Sequence, residues 1–207
     1  MLKLYKEKER LEVGIDEAGR GPLIGRVYVG AVILPNDLEE SEYVEIKDSK
    51  KLSKKKREEL SEYIKELAID YSICYADNNE IDKKNILQAT LETMHKTIHN
   101  LNVEPDYLLI DGNQFIPILN NKMEYIPYTC IKQGDNKYVS IAAASILAKV
   151  AHDDHIRNIC EDNSDLLKYD LMNNMGYGTK KHIDAIDNFG ISKLHRKTFG
   201  ICKKYSN

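Results

Sequence analysis

The chain of 207 residues has no tryptophan and three phenylalanines, so its 13 tyrosines supply most of the aromatic surface. Its four cysteines, Cys74, Cys130, Cys160 and Cys202, lie far apart with no CxxC pair. That excludes a dense disulfide framework and points to a reduced, cytosolic protein with buried or inert thiols. No apolar run is long enough to cross a bilayer; the longest, around Val139 to Ala148, includes Ser140 and Ser145. The leader MLKLYKEKERLE is too charged to provide the apolar stretch of a secretory signal. Nor is there an excess of positive charge. Thirty Lys and Arg against 33 Asp and Glu leave a net charge of -3, which excludes a globally basic nucleic-acid coat and leaves room for local basic patches. Repeats, Pro- or Ser-rich linkers and low-complexity tracts are also missing. What remains is 42% hydrophobic and 30% charged, enough for one sizeable core, so 1–207 is expected to form a single domain.

Periodicity sets the expected elements. Leu11 to Ile15 and Arg26 to Leu34 read as strands joined by a Gly-rich turn. Ser53 is a candidate N-cap for a charged helix reaching about Leu67. Tyr71 to Ala76 alternates as a strand does. Asn79 to Asn100 carries Ile81, Ile86, Leu87, Leu91, Met94 and Ile98 at helical spacing. Tyr107 to Ile110 is a short buried strand that exits through Asp111 and Gly112, and Tyr125 to Lys132 is another strand. A long helix is expected from Val139 to about Cys160, then short helices and loops. Strands followed by helices imply an α/β fold with a mixed sheet, a core of about 11–163, and a helical C-terminal appendage of about 164–207.

The carboxylates fall where such a fold collects ligands. Asp16 ends the first expected strand with Glu17 beside it, Asp111 ends a later strand, and Asp135 precedes the long helix. Side chains at the carboxyl ends of strands in an open α/β sheet face a crevice. Converging carboxylates there make a set of hard oxygen donors, suited to Mg²⁺ or Mn²⁺ and not to Zn²⁺. Such a site can activate water and hold a phosphodiester for in-line displacement. Adjacent strand residues point to opposite faces, so Asp16 and Glu17 share a site only if the chain bends at the glycines that follow. The bland alternatives are a turn at Asp111 and a helix cap at Asp135. The Asp16–Glu17 pair resists one, because burying unpaired charge costs several kcal/mol.

Gly14 to Gly25, GIDEAGRGPLIG, holds four of the eleven glycines, and Arg20 stands between two of them. Backbone amides there can approach a sugar or phosphate closely while Arg20 supplies charge. This stretch, then KDSKKLS, LLIDG, the GD of KQGD with the helix SIAAASILAKV, MGYGTKKH and HRKTF, resembles the ordered motif series of ribonuclease HII, from about residue 11 to 199. The resemblance implies a ribonuclease H-like mixed sheet flanked by helices. It implies an endonuclease that cuts the RNA strand of RNA–DNA hybrids and cuts 5′ to single ribonucleotides in duplex DNA, leaving 3′-hydroxyl and 5′-phosphate ends. Asp16, Glu17, Asp111 and Asp135 would be the catalytic, metal-binding carboxylates for two Mg²⁺ or Mn²⁺ ions, with water as the nucleophile. Gly19, Arg20 and Gly21 would read the ribose 2′-hydroxyl. Tyr177 would pack against the next, deoxy, sugar and reject an added hydroxyl. The chain departs from the family at His152, where an arginine is usual. The related ribonuclease HIII class carries Glu where this chain has Asp135.

Basic residues sort less sharply. Within the family pattern Lys50 and Lys51 are the expected phosphate contacts, and Lys54 to Arg57 a solvated helix face. Ser192 to Lys204 holds five Lys or Arg and no acid, and is expected to form the second wall of a basic groove, with affinity falling as salt rises. His95 and His99, four apart, read as a surface pair and not as a zinc clamp. The expected protein is monomeric and has no membrane role. A replication-clamp contact suits the family, but no motif after Phe199 carries it. Two rival readings are a DNA nuclease using the same carboxylates and a non-catalytic binding module.

Overall fold

In the computed structural model, which describes residues 2–47 and 52–206, strand β1 (Glu12–Ala18) runs up the centre of a five-stranded mixed sheet. β2 (Val27–Ile33) lies antiparallel to it on one side, followed outward by antiparallel β3 (Asp70–Ala76). On the other side β4 (Tyr107–Asp111) and then β5 (Tyr128–Ile131) run parallel to β1. The order is β3-β2-β1-β4-β5. Every residue of β2 is buried, because helices cover both faces of the sheet and alternation would leave polar groups unsatisfied.

The helices are α1 (Glu40–Tyr43), α2 (Lys54–Leu67), α3 (Asn78–Lys84), α4 (Ile86–His99), α5 (Val139–Asp162), α6 (Leu171–Asn174) and α7 (Lys180–Phe189). Leu91, Met94 and Ile98 of α4 pack against Val13, Ile15, Val29, Leu108 and Ile110. On the opposite face α2 and α5 bring Leu60, Ile64, Ala142, Ala143 and Ile146 onto Val32 and Leu34. None of the helices among the described residues is long and apolar enough to cross a membrane. Beyond α5 the chain folds back over Leu23 and Ile24, burying Leu166, Tyr169, Leu171, Ile186 and Cys202 with Ile156 and Cys160.

Two expected elements differ. The helix expected over Asn79 to Asn100 is broken at Asn85, whose φ of 70° is left-handed. Asparagine tolerates that conformation, and its side chain then caps α4 by accepting from the Leu87 and Gln88 amides. The strand expected from Tyr125 starts at Tyr128. Ile126 donates instead to the Ile118 carbonyl, and Pro127 has no amide to give a ladder. Ser53 does cap α2, accepting from the Lys56 amide at 3.3 Å.

α5 lies unusually close to the sheet. A Cβ added to Gly14 would sit 2.2 Å from the Ser140 carbonyl carbon and 2.4 Å from the Ile141 nitrogen. Only a residue without a side chain admits that approach. Gly14→Ala should therefore push α5 off β1 and cost about 3 kcal/mol, at the upper end of ordinary overpacking. Thermal unfolding monitored by circular dichroism checks this, and an unchanged midpoint would show that the helix can shift freely.

Candidate active site

Pairing of β1 with β4 stops at Ile15 and Ile110, whereas its pairing with β2 continues to Ala18 and Tyr28. The strands part beyond that point, and the crevice between them receives Asp16 and Glu17 from β1 and Asp111 from the end of β4. Asp16 shares its sheet face with Gly14, two residues back, so it faces α5 and takes a hydrogen bond from Ser145. Ser145 and Lys149, one helical turn apart, line the same crevice, together with Gly19, Arg20, Gly21 and Tyr177. The bend expected between Asp16 and Glu17 is not needed: β1 stays paired with β2 through Ala18, and both residues line the crevice left by the departure of β4.

Asp135 takes a different position. It lies buried in a 3-10 turn (Gly134–Asn136) ahead of α5, and Asn136 donates to it at 3.1 Å. It does not cap α5, whose N-cap is Tyr138. The turn is fastened to the crevice through Gly134, whose amide donates to Asp111 Oδ1 at 2.7 Å. Asp16, Glu17 and Asp111 thus meet in one cleft, with Asp135 adjoining behind Asp111.

Charge is crowded there. Burial pushes the Asp16 carboxyl well above the usual carboxylate range, and repulsion from Glu17 and Asp111 adds to it. Burial also raises Glu17, although Arg20 offsets part of the effect with an ion pair at 3.1 Å. The donors are hard oxygens whose mutual repulsion a divalent cation would relieve, so by chemistry the set fits Mg²⁺ or Mn²⁺. Among the described residues no three His, Cys, Asp or Glu side chains are gathered tightly enough to hold an ion as they stand. Glu17 is drawn towards Arg20 and Asp111 towards Gly134.

The loop after β1 is shaped by what lies beneath it. Gly19 has a φ of 88°, and an added Cβ would strike the His152 ring at 2.4 Å. The ring of Tyr177, 42% exposed, comes within 3.2 Å of where a Gly21 Cβ would stand. His152, in place of the family's arginine, is fully buried and meets Tyr177 edge-on. Burial lowers its pKa, and its Nδ1 donates to Asp153 at 3.0 Å. Lys149 and Arg57 supply the ion pairs to Asp153.

The basic residues divide. Lys50 and Lys51 lie outside the described residues. Lys54 and Lys55 pair with Glu58 and Glu59 one turn along α2, as expected for a solvated face, but the expectation is corrected at Arg57, which turns inward to the Leu52 carbonyl at 2.6 Å and to buried Asp153. The expected basic wall at Ser192 to Lys204 is corrected at Arg196. That residue is fully buried and bonds to backbone carbonyls, while Lys193, Lys197, Lys203 and Lys204 are exposed. His95 bonds to the Ile116 carbonyl. Ser145 and Lys149 escaped the sequence reading, although their i, i+4 spacing on the helix after Asp135 marks one face. Arg196 escaped too, since its charge suggested a surface role.

A mixed five-stranded sheet with flanking helices and a carboxylate-lined crevice at the parting of β1 and β4 defines a ribonuclease H-like fold. Solved structures agree. Ribonuclease H2 from Pyrococcus horikoshii OT3 superimposes with a TM-score of 0.77 at 22% identity, over 94% of this chain and 96% of that one. The Archaeoglobus fulgidus RNase HII, solved in complex with PCNA, gives 0.72 at 25% identity over 92% and 96%. Bst-RNase HIII in complex with Mn²⁺ gives 0.68 at 20% identity over 94% and 68%. The ribonuclease HII family profile matches residues 13–202. A ribonuclease HII of Parabacteroides distasonis is 46% identical over 96% of this chain and 94% of its own length. The chain belongs to the ribonuclease HII family, and is a divalent-metal-dependent endoribonuclease of the ribonuclease H type.

Raised carboxyl pKa values mean that the folded protein, without metal, binds more protons than the unfolded chain, so these groups cost stability as pH rises. In chelator, Asp16→Asn should melt higher than wild type by a few degrees, at roughly 2–4 °C per kcal/mol for a chain this size. The gain should be largest above neutrality and vanish as pH falls to the ordinary Asp value of 3.8. Adding Mn²⁺ or Mg²⁺ should raise the wild-type midpoint and leave the variant's nearly unmoved. A wild type more stable than the variant in chelator at pH 8 would contradict the crowding.

Proposed function

We propose that this enzyme reads RNA–DNA junctions, cutting 5′ to single ribonucleotides embedded in duplex DNA as well as within the RNA strand of RNA–DNA hybrids. The observation that carries the proposal is one cleft lined by Asp16, Glu17 and Asp111, by the Gly19–Gly21 loop and by Tyr177. Chemistry and sugar reading are thereby brought within one nucleotide's reach.

Asp16, Glu17, Asp111 and, from behind, Asp135 would hold two Mg²⁺ or Mn²⁺ ions. When bound, such ions supply Lewis acidity that activates water and stabilises the departing 3′-oxygen. The protein's own part is placement. Ser145 and the Glu17 amide orient the Asp16 carboxylate, and Gly134 orients that of Asp111. Arg20, which pairs with Glu17 at 3.1 Å and lines the cleft, would offer its guanidinium to the phosphate. The Gly19–Gly21 backbone contacts the ribose 2′-hydroxyl, and the Tyr177 ring occupies the space that a hydroxyl on the next sugar would need. Lys50 and Lys51 contact phosphates further along the duplex. The products carry 3′-hydroxyl and 5′-phosphate ends. The enzyme acts as a monomer, and a clamp contact of the kind in the Archaeoglobus complex forms no part of the proposal.

The test uses two end-labelled duplexes, one with a single ribonucleotide in DNA and one a continuous RNA–DNA hybrid, each with Mg²⁺, with Mn²⁺ and with chelator. Metal-dependent cutting 5′ to the lone ribonucleotide is expected. Cutting of the hybrid alone would remove the roles given to Gly19, Arg20, Gly21 and Tyr177, and cutting of plain DNA would favour a DNA nuclease. Asp111→Asn should bind both duplexes normally and lose about a thousandfold or more in turnover, several kcal/mol of transition-state stabilisation. Arg20→Ala and Tyr177→Ala should lower the preference for the junction over the hybrid, measured as a ratio of kcat/KM. Equal losses on both substrates would argue against sugar reading.

A further inference from the structure

Arg196 is the largest of the fully buried side chains, and among the described residues no carboxylate forms an ion pair with it. Burial lowers its pKa to about 10, leaving the guanidinium charged at neutral pH. A cation in that position is expensive to bury, and backbone carbonyls of a single loop compensate it. Nε donates to Gly25 at 3.0 Å and Nη1 to Arg20 at 3.1 Å. Nη2 donates to Gly19 at 2.7 Å and to Arg26 at 3.0 Å. Four carbonyls of the segment from Gly19 to Arg26 therefore converge on one planar fork.

This has a consequence for the other side of the loop. In a trans peptide the carbonyl and the following amide N–H point in opposite directions, and among the described residues no peptide bond is cis. With the Gly19 and Arg20 carbonyls turned in to Arg196, the amides of Arg20 and Gly21 point away from it. Gly19, Arg20 and Gly21 line the cleft, and the guanidinium lies buried behind them.

The preceding residue reaches the backbone of Tyr177. His182 Nδ1 lies 3.0 Å from the Tyr177 carbonyl, His182 Nε2 lies 3.1 Å from His195 Nε2, and His195 Nδ1 lies 2.9 Å from the Ser192 amide. A carbonyl only accepts and an amide only donates, so both ends of this chain require the same tautomers. His182 carries its proton on Nδ1 and His195 on Nε2. Both rings are fully buried, and burial lowers both pKa values, that of His195 to about 3. A second proton on either ring would set two N–H groups against each other.

We propose that Arg196 is a positioning residue for junction recognition, which aims the Arg20 and Gly21 amides into the cleft while its neighbour His195 anchors the Tyr177 backbone through His182. The inference rests on the junction-reading proposal above. It adds that selectivity is set by one C-terminal dipeptide that touches no substrate.

The experiment compares wild type with Arg196→Lys and Arg196→Met on the single-ribonucleotide duplex and the continuous hybrid, with melting temperature and Mn²⁺ binding measured on each protein. Lysine keeps the charge and cannot reach four acceptors in a plane. Arg196→Lys should melt within a few degrees of wild type and bind Mn²⁺ as wild type does. Its kcat/KM ratio of junction to hybrid should fall about tenfold or more, the scale of a misplaced binding group. Should Arg196→Met unfold, Arg196→Lys carries the test. A ratio equal to wild type, or equal losses on both substrates, overturns the inference. A wild type that fails to cut at the lone ribonucleotide overturns the junction reading itself, which separates the two failures.

Discussion

The approach of α5 to the backbone of β1 at Gly14 is the contact on which the site depends. With no side chain between them, helix and strand share a fixed register. Asp16, two residues beyond Gly14, then meets Ser145, and the loop after β1 meets His152. A larger residue at Gly14 would lift the helix and carry Ser145, Lys149 and His152 away together. The alanines of α5 serve the same approach, since Ala142 to Ala144 are all fully buried and small enough to keep the layer thin. A catalytic geometry spread over a strand, a helix and a loop is thus set by close packing in the core.

The second constraint is electrostatic. Asp16 and Glu17, buried in a partly dry crevice beside Asp111, oppose folding, and the fold holds the three with fixed donors: Ser145 and the Glu17 amide for Asp16, Arg20 for Glu17, Gly134 for Asp111. Each donor fixes an orientation without neutralising the cluster as a whole. Charge left uncompensated in this way is what a divalent ion can answer. Stability is given up locally so that affinity is available, a common pattern at functional sites.

Much of this was legible in the sequence. Branched residues in β1, β2 and β4 mark buried strands, and Ser53 marks the start of α2. Asp16, Glu17 and Asp111 could be expected to share one crevice because they stand near strand ends, where side chains face it. What escaped has physical causes. The break at Asn85 is a backbone choice that a helical pattern of apolar residues does not reveal. The turn that holds Asp135 was not legible, since Gly134–Asn136 coil into a 3-10 turn and leave Tyr138 as the N-cap of α5. Arg196 looked like surface charge, because composition says nothing about four carbonyls arriving from the other end of the chain. His182 and His195, thirteen positions apart, form a pair only once α7 has folded back.

The four bonds from Arg196 join residues 170 to 177 positions apart. On a ribosome, the first strand and its glycine loop leave the exit tunnel long before their clasp has been translated. A nascent chain that has completed β5 and α5 already holds every carboxylate of the crevice, yet its loop lacks the residue that turns the carbonyls inward. The order of synthesis therefore separates the acquisition of the carboxylate cluster from the ordering of the glycine loop. The loop settles only after Arg196 has been released.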